Sequence, residues 1–253
     1  MIYFIIRGVL IVFLVSGIIG QAGAESLRMG FFELNPHAYS DKHGKARGTA
    51  IEYFRLIAGQ MGVGKVTFTE LPLARLTRYL KDGKVDAALT MGKNTEREAM
   101  FVYPEKPFFY MRSAITIKKS HSLREVKSVE DILPLKMTFY DKGYRSPMMR
   151  DRRLQPIPMG ADDIFVQSYE MILKNRIDAC YSPESYTLKF KLKEGNYGAD
   201  LRVMELPEPP VGLFTPFSRQ SAGKYLKKYE TALTELYKTQ SYEEKLGQFL
   251  LSE

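Results

Sequence analysis

The sequence contains no tryptophan, one cysteine and three histidines among its 253 residues. With Cys180 alone, no disulfide can close within the chain. Cys180 lies in the apolar run Ile177–Tyr181, which predicts a buried, unreactive thiol. His37, His43 and His121 are scattered, which argues against a histidine-built metal centre, and no metal or other cofactor is expected. Beyond residue 24 no stretch is apolar enough to span a bilayer. Positive charge is plentiful but not concentrated. The formal net charge is +8, yet Lys118 and Lys119, Arg150 to Arg153, Lys189 to Lys193 and Lys224 to Lys228 lie far apart in the chain. Nucleic-acid surfaces gather such residues and interleave aromatics, so nucleic acid is not an expected partner.

What is present begins with an export signal. Arg7 precedes an apolar run from Gly8 to Gly20, and Ala22-Gly23-Ala24 supplies a small-x-small cleavage site. Residues 1–24 are therefore read as a cleaved signal peptide, which leaves a mature chain starting at Glu25. The apolar residues Ile2 to Ile6 lengthen the greasy stretch, so an uncleaved anchor is the alternative. No cysteine stands near the cleavage site, which argues against a lipoprotein.

The mature chain reads as alternating strands and helices. Leu27 to Phe32 is a short strand. Ala50 to Met61 is a helix, with Ile51, Phe54, Ile57, Ala58 and Met61 at 3/4 spacing. Lys65 to Leu71 alternates as a strand, Pro72 opens a helix to Asp82, and Val85 to Leu89 is a strand again. This β-α-β-α-β order implies a parallel sheet flanked by helices. A second set follows: strand Ala114 to Lys118, short helix Ser128 to Leu133, strand Lys136 to Tyr140, helix Asp163 to Lys174 and strand Ile177 to Tyr181. The chain then returns through Leu206-Pro207-Glu208-Pro209-Pro210 to a strand, Val211 to Thr215, and to C-terminal helices from Ser221 onward.

One device occurs twice. Gly83-Lys84-Val85-Asp86-Ala87 and Asn175-Arg176-Ile177-Asp178-Ala179 each read as a helix stop followed by a buried strand. Asp86 and Asp178 are read as structural residues at these turns. The repetition predicts an α/β chain of two similar lobes: residues 25–111 and 207–253 form the first, and residues 112–206 are inserted as the second. Two crossings between lobes make a hinge, with a ligand cleft there. The first copy leads to Thr90 and then to Arg97, a hydroxyl and a guanidinium suited to a small anion.

In this order and spacing the chain resembles the extracellular solute-binding proteins of family 3, the polar-amino-acid type with the type II periplasmic binding-protein fold. The markers are Leu27-Arg28-Met29-Gly30, Pro36 with Gly44 and Gly48, the Gly83 to Ala87 run, Thr95-Glu96-Arg97, Pro104 with Pro107-Phe108, Gly143-Tyr144-Arg145-Ser146, and Arg176 to Ala179. The resemblance implies that Arg97 clamps a ligand carboxylate with help from Thr90, while Gly92 stands at a second hydroxyl position and offers only a backbone N–H. An ion pair with Glu96 or Glu98 is the competing role for Arg97. The family's ammonium-binding aspartate falls near Pro183, so either the adjacent Glu184 substitutes or the ligand carries no amine there. Gly143, Tyr144, Arg145 and Ser146 form a loop aimed at the cleft, with Arg145 either a second positive group or a solvated one. Arg75 and Glu33 are further cleft candidates, with His37 beside Glu33. Tyr103 and Tyr110 serve either as an aromatic wall or as core.

The function implied is that of a periplasmic, monomeric solute-binding protein. It would capture a small polar or anionic solute, an amino acid or related carboxylate, for an ABC-type permease or a sensor. Two alternatives stand beside it: a periplasmic enzyme of the cyclohexadienyl dehydratase kind on the same scaffold, and a stand-alone sensory or accessory module. The enzyme needs a positioned acid or base beside the clamp, for which Glu184, Glu33 or His37 would have to serve.

Overall fold

The computed structural model describes residues 25–141, 144–160 and 164–252. The signal segment, Gly143 and the Asp163 start of the fourth helix lie outside them. The chain runs through β1 (Ser26–Phe31), β2 (Tyr39–Ser40), β3 (Ala46–Arg47), α1 (Thr49–Gln60), β4 (Lys65–Glu70), α2 (Leu73–Lys81), β5 (Ala87–Ala88), β6 (Met91–Gly92), α3 (Thr95–Glu98) and β7 (Phe109–Met111). It continues with β8 (Ala114–Lys118), β9 (Met137–Tyr140), β10 (Ile157–Met159), α4 (Ile164–Leu173), β11 (Ala179–Ser182), α5 (Ser185–Glu194) and β12 (Leu201–Glu205). It ends with β13 (Val211–Phe214), α6 (Arg219–Thr239) and α7 (Tyr242–Ser252).

The β-α-β-α-β start forms a three-stranded sheet in the order β4-β1-β5, parallel throughout. Leu27, Met29 and Phe31 of β1 are buried with Ile51, Phe54, Ile57 and Ala58 of α1, the stripe that the helical spacing predicts. Gly30 leaves room where α2 crosses β1: a Cβ there would press on Leu76 Cδ1, which would have to shift. The C-terminal helices complete this core through Tyr225, Tyr229, Leu233 and Leu236 of α6 and Tyr242 and Leu246 of α7.

The repeated turn is one structure used twice. Gly83 (φ 66°) and Asn175 (φ 54°) both take the left-handed conformation. In each, the next residue's N–H returns to the carbonyl five positions back, Lys84 to Tyr79 at 2.8 Å and Arg176 to Met171 at 2.9 Å. Each following aspartate then clamps the adjacent parallel strand. The Asp86 carboxylate accepts the Arg28 N–H at 2.7 Å and its guanidinium at 2.6 Å, and Asp178 accepts the Lys136 N–H at 2.8 Å. These carboxylates are strand locks and take no part in a reactive pair.

The second set builds a five-stranded sheet in the order β10-β9-β11-β8-β12. Strands β9, β10 and β11 are parallel, while β8 runs antiparallel to both β11 and β12. Ser128 and Asp131 form a capping box around a single 3₁₀ turn, so the short helix foreseen there is tighter than α. Cys180 is fully buried in this sheet, and burial pushes its thiol up to about 11. The chain passes from a second three-stranded sheet, in the order β6-β13-β7, to the five-stranded sheet at Arg112-Ser113 and returns at residues 206–210, where the Leu206 N–H donates to the Ser113 carbonyl at 2.8 Å. Among the described residues no helix is long and apolar enough to cross a membrane.

Candidate functional site

In an open parallel sheet, ligands bind beyond the carboxyl ends of the strands, where side chains and helix N-termini converge. At the three-stranded sheet those ends carry Glu33 after β1, the Leu71 to Arg75 segment after β4 and Thr90 after β5. At the five-stranded sheet they carry Asp141 and Tyr144 to Ser146 after β9 and Pro183-Glu184 after β11. The two ends face each other. The loop after β1 touches the segment after β11: Thr187 Oγ1 donates to the Asn35 carbonyl at 2.7 Å, and His37 Nε2 lies 3.3 Å from Glu184 Oε2.

Arg97 is half-buried on α3. Its backbone N–H is received by the side chain of Asn94 (2.8 Å), the cap of that short helix. One guanidinium nitrogen, Nη1, donates to the Gly92 carbonyl at 2.9 Å. No ion pair ties Arg97 to Glu96 or Glu98, because Glu98 pairs with Lys93 at 2.9 Å. The rest of the guanidinium fork has no partner among the described residues. Gly92 also receives the Tyr103 hydroxyl at 3.0 Å, and burial pushes that phenol up to about 12. Tyr103 thus shares the Gly92 carbonyl with Arg97, with its ring edge-on to Phe214, while Tyr110 is exposed.

Thr90 sits at the carboxyl end of β5 in an unusual state. It is β-branched yet has φ 54°, is fully buried, and its hydroxyl has no partner among the described residues. A β-branched residue in this conformation is strained, and an unpaired buried hydroxyl adds a further cost. Gly92, two residues on, is relaxed and roomy: the nearest atoms to a Cβ built there are Arg97 Nη1 at 3.7 Å and Leu213 Cδ2 at 3.9 Å. Gly92→Ser should therefore fold normally, with a melting temperature within about 2 °C of wild type, since such a change stays within about 0.5 kcal/mol. Differential scanning calorimetry checks this, and a drop of more than about 5 °C contradicts it.

The remaining candidates divide into free and engaged groups. Arg75 and Glu33 are exposed, with no side-chain partner among the described residues. Arg145 is exposed over the Phe139 ring, 5.3 Å from its centroid, and Tyr144 is capped by the Arg150 guanidinium at 5.3 Å. Ser146 is buried. Its N–H donates to the Tyr181 hydroxyl at 3.0 Å, and its own hydroxyl accepts the Met149 N–H at 3.4 Å, so it shapes the loop from inside.

Glu184 is also turned inward. It is 2% exposed and caps α5, its carboxylate accepting the N–H groups of Tyr186 (2.9 Å) and Thr187 (2.6 Å). His37 is fully buried, stacked on Phe109 with centroids 4.6 Å apart, and its Nδ1 is 2.6 Å from the Tyr242 hydroxyl. The His37–Glu184 approach is close enough for ion pairing but too misaligned for a hydrogen bond, so Nε2 has no formal bonded partner. Burial alone would raise the Glu184 carboxyl, but His37 and the two backbone donors outweigh it and hold it below its ordinary 4.5. A depressed folded-state value means that the stabilisation is full above about pH 4.5 and is lost as the pH falls through the folded value. Glu184→Gln should flatten the acid limb of the melting-temperature profile between about pH 5 and pH 3, relative to wild type. An unchanged slope there would show that the carboxylate is not held in this way.

Among the described residues no cluster of three or more His, Cys, Asp or Glu side chains is placed to hold a metal. The sequence profile of the bacterial extracellular solute-binding proteins, family 3, matches residues 27–251. Among solved structures, an ancestral cationic amino acid solute-binding protein superposes with a TM-score of 0.73 at 20% identity, over 89% of this chain and 95% of that one. The L-cystine solute receptor of Neisseria gonorrhoeae, unliganded and open, superposes with a TM-score of 0.70 at 23% identity, over 91% of this chain and 94% of that one. A structure of an ancestral amino acid-binding protein described as a precursor of cyclohexadienyl dehydratase gives 0.66 at 20% identity, over 89% and 95% of the two chains. No curated protein sequence matches. At these identities the likeness establishes the fold, a two-lobe type II periplasmic binding protein.

Proposed function

The chain belongs to the bacterial extracellular solute-binding proteins of family 3, and we propose that it captures a small carboxylate-bearing solute between its lobes. Residues 25–111 and 207–253 form one lobe and residues 112–206 the other. The observation that carries this reading is the partly uncommitted guanidinium fork of Arg97 on α3, held beside Gly92 just beyond the buried Thr90. A planar fork matches a carboxylate in a way lysine does not. Arg75, Arg145, Glu33 and Tyr144 supply the surrounding polar wall, and Thr90 and Gly92 complete the clamp. Similar structures are described as receptors for cationic amino acids and L-cystine, which favours an amino acid or a related acid as the solute.

Export by cleavage after residue 24 places the protein in the periplasm, where a membrane permease or a sensor receives the loaded form. Catalysis is the second reading, favoured by the likeness to the precursor of a dehydratase. The one close acid–base pair described, His37 with Glu184, is closed off from solvent, which favours binding. Thermal-shift screening against amino acids, dicarboxylates and cyclic acids tests both readings. A solute at a hundred times its Kd stabilises the folded state by about 2.7 kcal/mol. Carboxylates are expected to raise the melting temperature without turnover. Conversion of a cyclic acid to product would establish the enzyme, and no shift with any carboxylate would remove the binding reading.

A further inference from the structure

The contacts joining the two sheets are denser than two crossing strands require, and they converge on one helix. From the five-stranded sheet comes α5, with Glu184 as its cap. From the other side come the loop after β1, with Asn35 and His37, and the C-terminal helix α7, with Tyr242, Phe249 and Leu250. At the buried end His37 links Glu184 to Tyr242, and Thr187 reaches Asn35. At the outer end Phe190 stacks on Phe249 with centroids 6.4 Å apart, and Lys193 donates to the Leu250 carbonyl at 2.7 Å. Tyr186, from the first turn of α5, packs on the core that α1 and α7 share.

We propose that α5, α7 and His37 form a ligand-independent latch, a third and non-covalent connection between the lobes, which acts as one cooperative unit and restrains their separation along this edge. The latch rests on the two-lobe binding reading for its purpose, since only lobes that part and close around a solute need that motion restrained. None of its groups is a free group of the clamp. The His37 imidazole lies against the Glu184 carboxylate inside the interface, and the Tyr242 hydroxyl occupies the second imidazole nitrogen. Opening the lobes along this edge would expose all three together with the Phe109 ring on which His37 stacks. The contact therefore resists opening whether or not the cleft is filled.

Amide hydrogen exchange of the ligand-free protein tests the latch without reference to any solute. Thr187→Val keeps the shape of the side chain and removes only the hydroxyl that reaches Asn35, so it is the variant least expected to disturb folding. Glu184→Gln weakens the centre. In both variants, peptides covering residues 33–38, residues 185–190 and α7 are expected to exchange about tenfold faster than in wild type, while β1 and β9 keep their rates. If loosening α5 leaves residues 33–38 and α7 unchanged, the contacts do not act together and the latch is wrong. If β1 and β9 accelerate by the same factor, the residues serve folding as a whole, and the proposal falls equally. A failure of the solute-binding reading would appear only in the ligand screen, not in these rates.

Discussion

Replacing His37 by alanine is expected to lower the melting temperature by roughly 10 °C at pH 7, the largest stability effect of any single substitution considered. The imidazole is fully buried between the Glu184 carboxylate, the Tyr242 hydroxyl and the Phe109 ring. Its removal leaves Glu184 with only two backbone donors in an interface closed to water, and leaves the Tyr242 hydroxyl unpartnered. Truncating a fully buried side chain leaves a cavity and strips the buried Glu184 carboxylate and the Tyr242 hydroxyl of a neighbour, which together cost about 3–5 kcal/mol. For a chain of this size each kcal/mol moves the midpoint by about 2–4 °C. The exposed His43 provides the control, since surface substitutions stay within about 0.5 kcal/mol. Calorimetry of the two alanine variants decides the matter, and equal midpoints would mean that His37 carries no buried partner worth the name.

The largest expected effect on binding belongs to Arg97→Ala, which should weaken a carboxylate ligand found in the screen by at least about 30-fold. Truncating one side of a hydrogen-bonded charge pair costs about 2–5 kcal/mol, and each 1.4 kcal/mol is tenfold. The stability effect should be small by comparison, because the side chain is only half-buried and gives up one bond to the Gly92 carbonyl. Arg97→Lys should recover little of the affinity, since an ammonium cannot span both carboxylate oxygens as the fork does. Isothermal titration of wild type and the two variants with the same acid measures all three. Unchanged affinity in Arg97→Ala would place the ligand carboxylate elsewhere and leave the fold assignment untouched.

The two variants separate the parts of this protein that its sequence reveals from those it conceals. The place of Arg97, just beyond a buried strand, is legible because its signals are local: a helix stop, a short strand and the arginine that follows it. Gly83 and Asn175, with Asp86 and Asp178 after them, are legible for the same reason, and the structure gives both copies the same left-handed turn and the same clamp on a neighbouring strand. Helix α5 is not legible. Tyr186, Leu188, Phe190 and Leu192 alternate with Thr187, Lys189 and Lys191, a period of two that reads against a helix. The segment is helical because Glu184 caps it, Leu188 and Leu192 bury one face four residues apart, and Phe190 finds Phe249 on another element. Tertiary packing overrides the local pattern there.

Glu184 shows the same division at the level of one side chain. From its place after β11 it reads as a group for the ligand's amine, whereas its oxygens are turned to α5 and to His37, far away in sequence. No spacing rule can find that pairing, because it depends on two lobes meeting. By itself, then, the sequence determined the α/β alternation, the repeated turn and the arginine at the strand end, all of which arise from neighbours within a few residues. Only the tertiary structure decided which carboxylates stay free, that Thr90 is strained and its hydroxyl unpaired among the described residues, and that His37 meets Glu184 and Tyr242. Burial and charge pairing are properties of surfaces brought together by folding, and these residues lie too far apart in the chain for local order to specify them.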